Sequence, residues 1–285
     1  MPESRSQPGL ENEPRSAARV REHYEIEKEL AARLRAASGE ERQHLYTALY
    51  DELFQRVPDH PQLALKRGGL ARRNEVRDRL KLLGRYLRAE TTFLEIGPGD
   101  CALAIEVARR VHKVFAVDVS REIGAGVQLL QNLQLAISDG CSIPVADDSV
   151  DVAYSDQLME HLHPDDAAQQ LKNIFRALAS GGVYVCLTPN RWSGPHDVSR
   201  YFDEVATGFH LREYTVGELS QMFRAVGFRG VQALIGAGGL HAIVPAGLVS
   251  AVEELLRILP RQFGRTLARR LPLRAILGAK LVARK

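Results

Sequence analysis

Long apolar runs are missing from this chain: no stretch approaches the roughly 20 residues that a membrane span requires, so no transmembrane helix is expected. Cysteine is scarce. Cys101, Cys141 and Cys186 form no C-x-x-C pair and leave an odd thiol in any pairing, which excludes a disulfide scaffold and suits a reducing compartment, with core packing as their ordinary role. An excess of one charge is also lacking. Lys and Arg number 38 against 35 Asp and Glu, and the formal charge of +3 is too small to imply a nucleic-acid partner unless the bases cluster locally. Internal repeats and low-complexity blocks are absent, and the hydrophobic (45%) and charged (26%) fractions sit at globular averages, which excludes a mainly disordered chain. The N-terminal MPESRSQPGLENEPRS has no apolar run and does not read as a signal peptide, so a cytoplasmic location is expected.

At 285 residues the chain exceeds one small domain. Residues 1–18 are polar and Pro-containing and are expected to form a disordered tail. Residues 19–90 read as an N-terminal helical region: Leu45, Leu49 and Leu53 recur every fourth residue beside Tyr46, Tyr50 and Phe54, and a basic helix covers about 71–88. From Thr91 the pattern changes. TTFLEI, KVFAVDVS (113–120), LQLAISD (133–139), VDVAYS (150–155), GVYVCLTP (182–189), 231–235 and AKLVARK are short apolar segments suited to buried strands, most of them separated by helical spacing such as Leu171, Ile174, Phe175 and Leu178. That alternation predicts a doubly wound α/β sheet over 91–285, with a helical insertion at about 240–276 before the last strand.

Where the first strand ends at Glu95, Gly97 and Gly99 permit a tight turn and close approach of backbone to a ligand before a helix beginning near Cys101. Alone this is a weak signal, because Gly97, Gly99 and Ala102 also satisfy the G-x-G-x-x-G/A dinucleotide fingerprint. Asp118 and Asp139 sharpen it. Asp118 ends the second strand, where a carboxylate accepts from ribose hydroxyls; Asp139 ends the third, where it accepts from an adenine amino group while the Gly140 or Cys141 backbone meets the ring edge. Three acidic groups thus end three successive strands at the crevice where open α/β sheets bind ligands.

With E-I-G-P-G-D-C, V-D-V-S, S-D-G-C, D-Q-L-M-E-H-L and L-A-S-G-G-V-Y-V in this order, the chain resembles the class I S-adenosylmethionine (SAM) dependent methyltransferases, in particular the small-molecule, type 11-like branch, over about 91–237. Cys101 departs from the pattern by standing in the third glycine place. The resemblance implies a Rossmann-like, mostly parallel seven-stranded sheet whose last strand inserts antiparallel beside GVYVCLTP. It implies S-adenosyl-L-methionine as cofactor, with Glu95, Gly97 and Gly99 at the methionine end, Asp118 at the ribose, and Asp139 with Gly140 at the adenine. Two alternatives stay open: an NAD-dependent oxidoreductase, which shares the first two sites, and a SAM-fold binding protein without activity.

Methyl transfer requires alignment of an acceptor atom, and a base only where the nucleophile must lose a proton. His161 and His163 follow the fourth strand at the mouth of the crevice and could accept such a proton near neutral pH, although Pro164, Asp165 and Asp166 equally read as a helix start that one histidine caps. In the long loop TPNRWSGPHDVSRYF, His196 and Asp197 could pair as base and orienter, with Trp192 as an apolar wall and Arg200 as an anion contact. GFHLREYT, carrying His210 and Glu213, could close over the same place. The cluster from Glu160 to Asp166 lacks H-E-x-x-H spacing, so no metal is expected. No N/D-P-P-Y follows the fourth strand, which disfavours DNA as substrate. A small or medium-sized acceptor is expected, methylated at oxygen on a sugar, glycan or secondary metabolite. The arginine-rich segment beyond Val252 either caps its own domain or makes a weak peripheral membrane contact that admits a lipid-linked acceptor; RNA is a third polyanion it could meet.

Overall fold

A computed structural model describes residues 10–66, 69–120, 130–237 and 240–285. Helices α1 (Ala17–Ala36), α2 (Gly39–Arg56), α3 (Pro61–Lys66) and α4 (Leu70–Leu83) precede the sheet. The sheet is built from β1 (Thr92–Ile96), β2 (Lys113–Asp118), β3 (Leu133–Ile137), β4 (Val150–Asp156), β5 (Leu178–Thr188), β6 (Arg229–Ala237), β7 (Leu240–Pro245) and β8 (Ala279–Arg284). Between strands lie α5 (Ala102–Ala108), α6 (Pro164–Ala177), α7 (Val216–Val226), α8 (Ala246–Ile258), α9 (Arg261–Ala268) and α10 (Leu273–Ile276).

The strand order is β3-β2-β1-β4-β5-β8-β6-β7. The first five strands pair in parallel, and β8 runs antiparallel between β5 and β6. Order reverses between β1 and β4, which opens the crevice at their carboxyl ends. The apolar runs of β1, β4 and β5 are buried on both faces because one core packs each side of the sheet, with Leu94, Ala153 and Tyr184 on one and Phe93, Tyr154 and Val185 on the other.

An eighth strand corrects the expected seven. Residues 240–245, expected to open the helical insertion, instead form β7, which pairs antiparallel with an extended β6 from Gln232↔Pro245 to Ala237↔Leu240. LHAIVP is a short apolar run without helical period, the kind whose type is settled by its pairing partner. The expected tail is corrected in its second half: Leu10–Asn12 form a 3-10 turn, and Leu10 packs with Tyr201 and Phe202 against Val20, Tyr24 and Val198. The Ser16 hydroxyl caps α1 by accepting from Arg19 N (3.2 Å). Residues 1–9 lie outside the described residues.

Helix α2 crosses the carboxyl edge of the sheet. Its start is fixed by a capping box in which Ser38 and Glu41 each accept the other's backbone N–H. Buried Arg42 donates from Nε and Nη2 to both oxygens of Asp166 at the start of α6 (2.6 and 2.8 Å). The Tyr46 hydroxyl donates to Asp166 (2.6 Å) and accepts from His163 N (2.9 Å), and the Thr47 hydroxyl donates to Val119 O (2.6 Å). In α8 to α10 the expected apolar stripe divides: Leu256 is buried, whereas Leu255, Phe263 and Leu271 face outward.

Candidate functional site

After β1 the chain turns through Gly97 (φ 72°), Gly99 (φ 61°) and Cys101 (φ 58°), three left-handed residues within five. The third glycine place of the motif therefore does demand glycine geometry. Cys101 adopts it at a cost of about 1–2 kcal/mol, while its side chain is wholly buried in the core beside α5. At Gly97 a Cβ would approach Leu158 Cδ1 to 3.3 Å.

These turns border a groove of about 280 Å³ at the carboxyl ends of β1, β2 and β4. Ile96, Gly97, Gly99, Val117 and Asp118 lie along the sheet edge, while Tyr46, Tyr50 and Phe54 of α2 form the opposite wall. Arg72 of α4 borders it and donates from Nε to Asp100 (2.8 Å). A largely apolar slot with a few fixed polar groups is the usual form of a cofactor site.

The residues singled out in the sequence divide here. Gly97, Gly99, Asp118 and Gly140 line the groove together. The Asp118 carboxylate accepts from Ser120 N (3.0 Å), which fixes it at the rim. Glu95 is buried two residues before Gly97, and its Oε2 has no hydrogen-bond partner. Burial pushes its pKa up to about 8, against the opposing pull of Arg72. Asp139 requires a correction: it does not line the groove, because its own turn consumes its oxygens. Oδ1 accepts from Cys141 N (2.9 Å) and Ser142 N (2.7 Å), and Oδ2 from the Ser142 hydroxyl (2.8 Å), a local Asx arrangement. Ser138 and Gly140 stand at the groove in its place. Gly140 (φ 89°) is held against α2, where a Cβ would meet Tyr46 Cδ2 at 2.9 Å.

A second cavity of about 290 Å³ adjoins the first, and Tyr50, Gln62, Gln157 and His161 line both. Its wall is rich in imidazole: His23, His60, His161, His196 and His210. The His161 Nδ1–H donates to Phe209 O (3.0 Å), which assigns the tautomer and leaves the lone pair on Nε2. Burial, together with the neighbouring His210 cation, lowers its pKa to about 3. At neutral pH His161 is therefore a neutral imidazole that accepts at Nε2 and does not take up a second proton, in contrast to the proton acceptance expected of it near neutral pH. His163 lines neither cavity; its ring accepts from Asp165 N (3.3 Å) and caps α6.

His196 lines the second cavity, but its partner is Glu213 and not Asp197. Its Nδ1 lies 3.3 Å from Glu213 Oε1 and its Nε2 lies 3.1 Å from the Ser193 hydroxyl. Asp197 is pinned within the loop, where it accepts from Ser199 N, Gly208 N and His210 N. His210 donates to Glu213 Oε1 (2.8 Å). Burial opposes its charge, yet the Glu213 hydrogen bond and the nearby Glu160, Asp197 and Glu213 carboxylates together outweigh burial and raise its pKa to about 9. Arg200 borders this cavity, whereas Trp192 faces a different one of about 730 Å³ between its loop and α7 to α9. The aromatic wall of the histidine-lined cavity is made by Tyr50, Tyr201 and Phe209, not by Trp192.

Sequence reasoning missed Glu27, His23 and His60. His23 and Glu27 lie one turn apart on α1, a helical pair, but His60 arrives only through the turn after α2. Glu27 Oε1 accepts from His23 Nε2 (2.7 Å) and His60 Nε2 (3.4 Å), and Oε2 accepts from Phe209 N (3.1 Å).

Residues 70–233 match the family described as a methyltransferase domain. A protein of Mycolicibacterium smegmatis named a probable S-adenosylmethionine-dependent methyltransferase is 32% identical over 136 residues, 47% of this chain and 51% of that protein. One of Mycobacterium tuberculosis with the same description is 30% identical over 136 residues, 47% of each. The chain thus spans about half the length of the curated relatives it matches. Among solved structures, a Haemonchus contortus phosphoethanolamine N-methyltransferase in complex with phosphoethanolamine and S-adenosylhomocysteine shares the fold. It is 18% identical with a TM-score of 0.50, and the alignment covers 66% of this chain and 41% of that one. No helix among the described residues is long and apolar enough to cross a membrane.

Proposed function

The chain belongs to the class I SAM-dependent methyltransferase family, and from that premise we propose that it methylates a hydroxyl group of a small or medium-sized acceptor held in the histidine-lined cavity. The observation that carries the proposal is the continuity of the two cavities: Tyr50, Gln62, Gln157 and His161 face both. The groove fits the cofactor on its own chemistry. Glu95 buries an oxygen without a partner beside the glycine turn, as suits an ammonium group, and Asp118 presents a carboxylate at the rim for ribose hydroxyls. Gly140 supplies backbone at the position expected for adenine. When bound, SAM supplies an activated sulfonium methyl. The protein's part is to align the acceptor oxygen and exclude water.

His161 orients the acceptor by accepting at Nε2 from a hydroxyl beside the one that is methylated. His196, steadied by Glu213, takes the proton of the methylated hydroxyl and passes it to solvent. The polar, imidazole-rich lining favours an oxygen acceptor such as a sugar, glycan or secondary metabolite over an apolar one. Incubation with methyl-tritiated SAM and pooled candidate acceptors tests this: label should enter a hydroxyl-bearing product, and label confined to amines would overturn the oxygen assignment. If the chain binds the cofactor but labels nothing, it is the inactive binding protein.

The acceptor is further proposed to be one carried at an anionic lipid surface. Leu248, Leu255, Ile258, Phe263 and Leu271 are large exposed apolar side chains on α8 to α10 and the turn between, and they alternate with exposed Arg257, Arg261, Arg270 and Arg274. Apolar and basic groups on one short helical segment favour the headgroup boundary of a membrane. Arg265 and Arg269 both donate to Gly194 O, which ties these helices to the His196 loop.

A further inference from the structure

We propose that Glu160, His161 and His210 hold one divalent cation on the wall of the acceptor cavity. One donor atom from each residue lies within 4.8 Å of the other two. All three side chains are fixed from behind. His161 donates from Nδ1 to Phe209 O, His210 from Nδ1 to Glu213, and Glu160 Oε2 accepts from the Thr188 hydroxyl (2.8 Å). Carbonyl and carboxylate groups behind imidazoles are the supports that orient metal-ligating histidines and set their tautomer.

The forward atoms are left over. Glu160 is fully buried, and its Oε1 has no hydrogen-bond partner. Nε2 of His161 and of His210 makes no hydrogen bond to protein among the described residues, and His210 forms its ion pair with Glu213, not with Glu160. Glu160 Oε1 and the two Nε2 atoms are thus donor positions that no protein group uses, and a divalent ion would join them, releasing any proton on Nε2 of His210 as it binds.

The neighbouring cluster shows the contrast. His23 Nδ1 accepts from Arg15 Nη1 (2.9 Å) and His60 Nδ1 accepts from Gln62 N (3.2 Å), so both Nε2 atoms carry hydrogen and donate to Glu27. That network is closed and has no lone pair left for an ion.

Two imidazoles and one carboxylate suit a borderline divalent ion such as Zn²⁺, Mn²⁺, Fe²⁺ or Co²⁺ and leave coordination positions open. Ligand bonds of about 2.0–2.2 Å require the donors to close by roughly an ångström. On the methyltransferase reading, on which the ion's purpose though not its binding rests, an open position takes the acceptor oxygen. The ion lowers that hydroxyl's pKa, and the proton leaves to His196 and then to solvent. His161 then ligates the ion, and the ion takes over the orienting of the acceptor.

The test is titration of the chelator-stripped full chain with Co²⁺, followed by visible absorption and calorimetry, with S-adenosylhomocysteine titrated in parallel. One equivalent of Co²⁺ should bind. Glu160→Gln and His210→Ala should each weaken it at least tenfold while changing S-adenosylhomocysteine affinity by less than about threefold, because neither residue lines the cofactor groove. His60→Gln should leave Co²⁺ affinity unchanged. No stoichiometric Co²⁺ binding by a chain that still binds S-adenosylhomocysteine overturns the inference, as does Co²⁺ affinity that is unchanged in both ligand variants or that is lost in His60→Gln. Co²⁺ bound without S-adenosylhomocysteine would leave the ion site standing and remove the cofactor reading.

Discussion

Asp166→Ala should unlock the wall of the cofactor groove. Arg42 and Asp166 are 6% and 9% exposed, the guanidinium engages both carboxylate oxygens, and the Tyr46 hydroxyl donates to the same group. Removing the carboxylate leaves a guanidinium and a phenol buried without their acceptor. Breaking one side of a buried pair costs about 3–5 kcal/mol, and at this chain length each kcal/mol lowers Tm by about 2–4 °C, so a fall of roughly 10 °C is expected. Glu52→Ala is the control. It removes half-exposed pairs with Arg33 and Arg56 and should cost no more than about 1 kcal/mol. Because α2 also carries Tyr46, Tyr50 and Phe54, Asp166→Ala should weaken S-adenosylhomocysteine binding as well, whereas Glu52→Ala should not. Burial alone would raise the Asp166 pKa, but the hydrogen bonds from Arg42 and Tyr46 hold it below the usual value. The folded pKa is depressed, so this stability is present above the ordinary carboxylate range and is lost as pH falls through it. Melting by circular dichroism decides the matter: an Asp166→Ala protein that melts within about 2 °C of wild type would refute the reasoning.

Glu95 titrates in the opposite sense. Its folded pKa of about 8 lies above the ordinary glutamate value of about 4.3, so the folded state keeps a proton that the unfolded chain gives up. Stability is lost as pH rises from that ordinary value through 8, and the Tm of wild type should fall relative to Glu95→Gln between pH 5 and pH 8; a constant difference would mean that Glu95 is not desolvated. For the lipid surface, wild type should float with phosphatidylglycerol-containing liposomes at low salt, and a Leu255→Glu/Ile258→Glu variant should not. Failure of wild type to float at either low or moderate salt removes the membrane proposal.

The sheet and its hinge were legible because their signals are local. TTFLEIGPG and KVFAVD place strand, turn and carboxylate within a few residues, and Gly97, Gly99 and Asp118 meet at one groove. Cys101 was legible as a break in the motif, though only the backbone shows that it keeps a glycine's left-handed geometry. Asp139 misled because a carboxylate at a strand end can face a ligand or its own turn, and Ser142 decides for the turn. The second cavity was only partly legible. His161 and His196 are local to their strands, but Glu213, Glu27 and His60 come from distant segments that only the tertiary fold brings together. The cation cluster escaped for the same reason: Glu160 and His161 are adjacent, and the third donor, His210, belongs to a loop far along the chain. The 240–245 segment was read by length and apolarity, which do not separate a short strand from a helix start.

Calorimetric titration with S-adenosylhomocysteine, SAM and NAD, on wild type and on Asp118→Ala, addresses the central claim without needing the acceptor. The account predicts stoichiometric binding of SAM and S-adenosylhomocysteine, none of NAD, and a loss of about 1–3 kcal/mol in the folded Asp118→Ala variant as hydrogen bonds to the ribose disappear. Binding of NAD alone, or an affinity for S-adenosylhomocysteine untouched by the substitution, would contradict it.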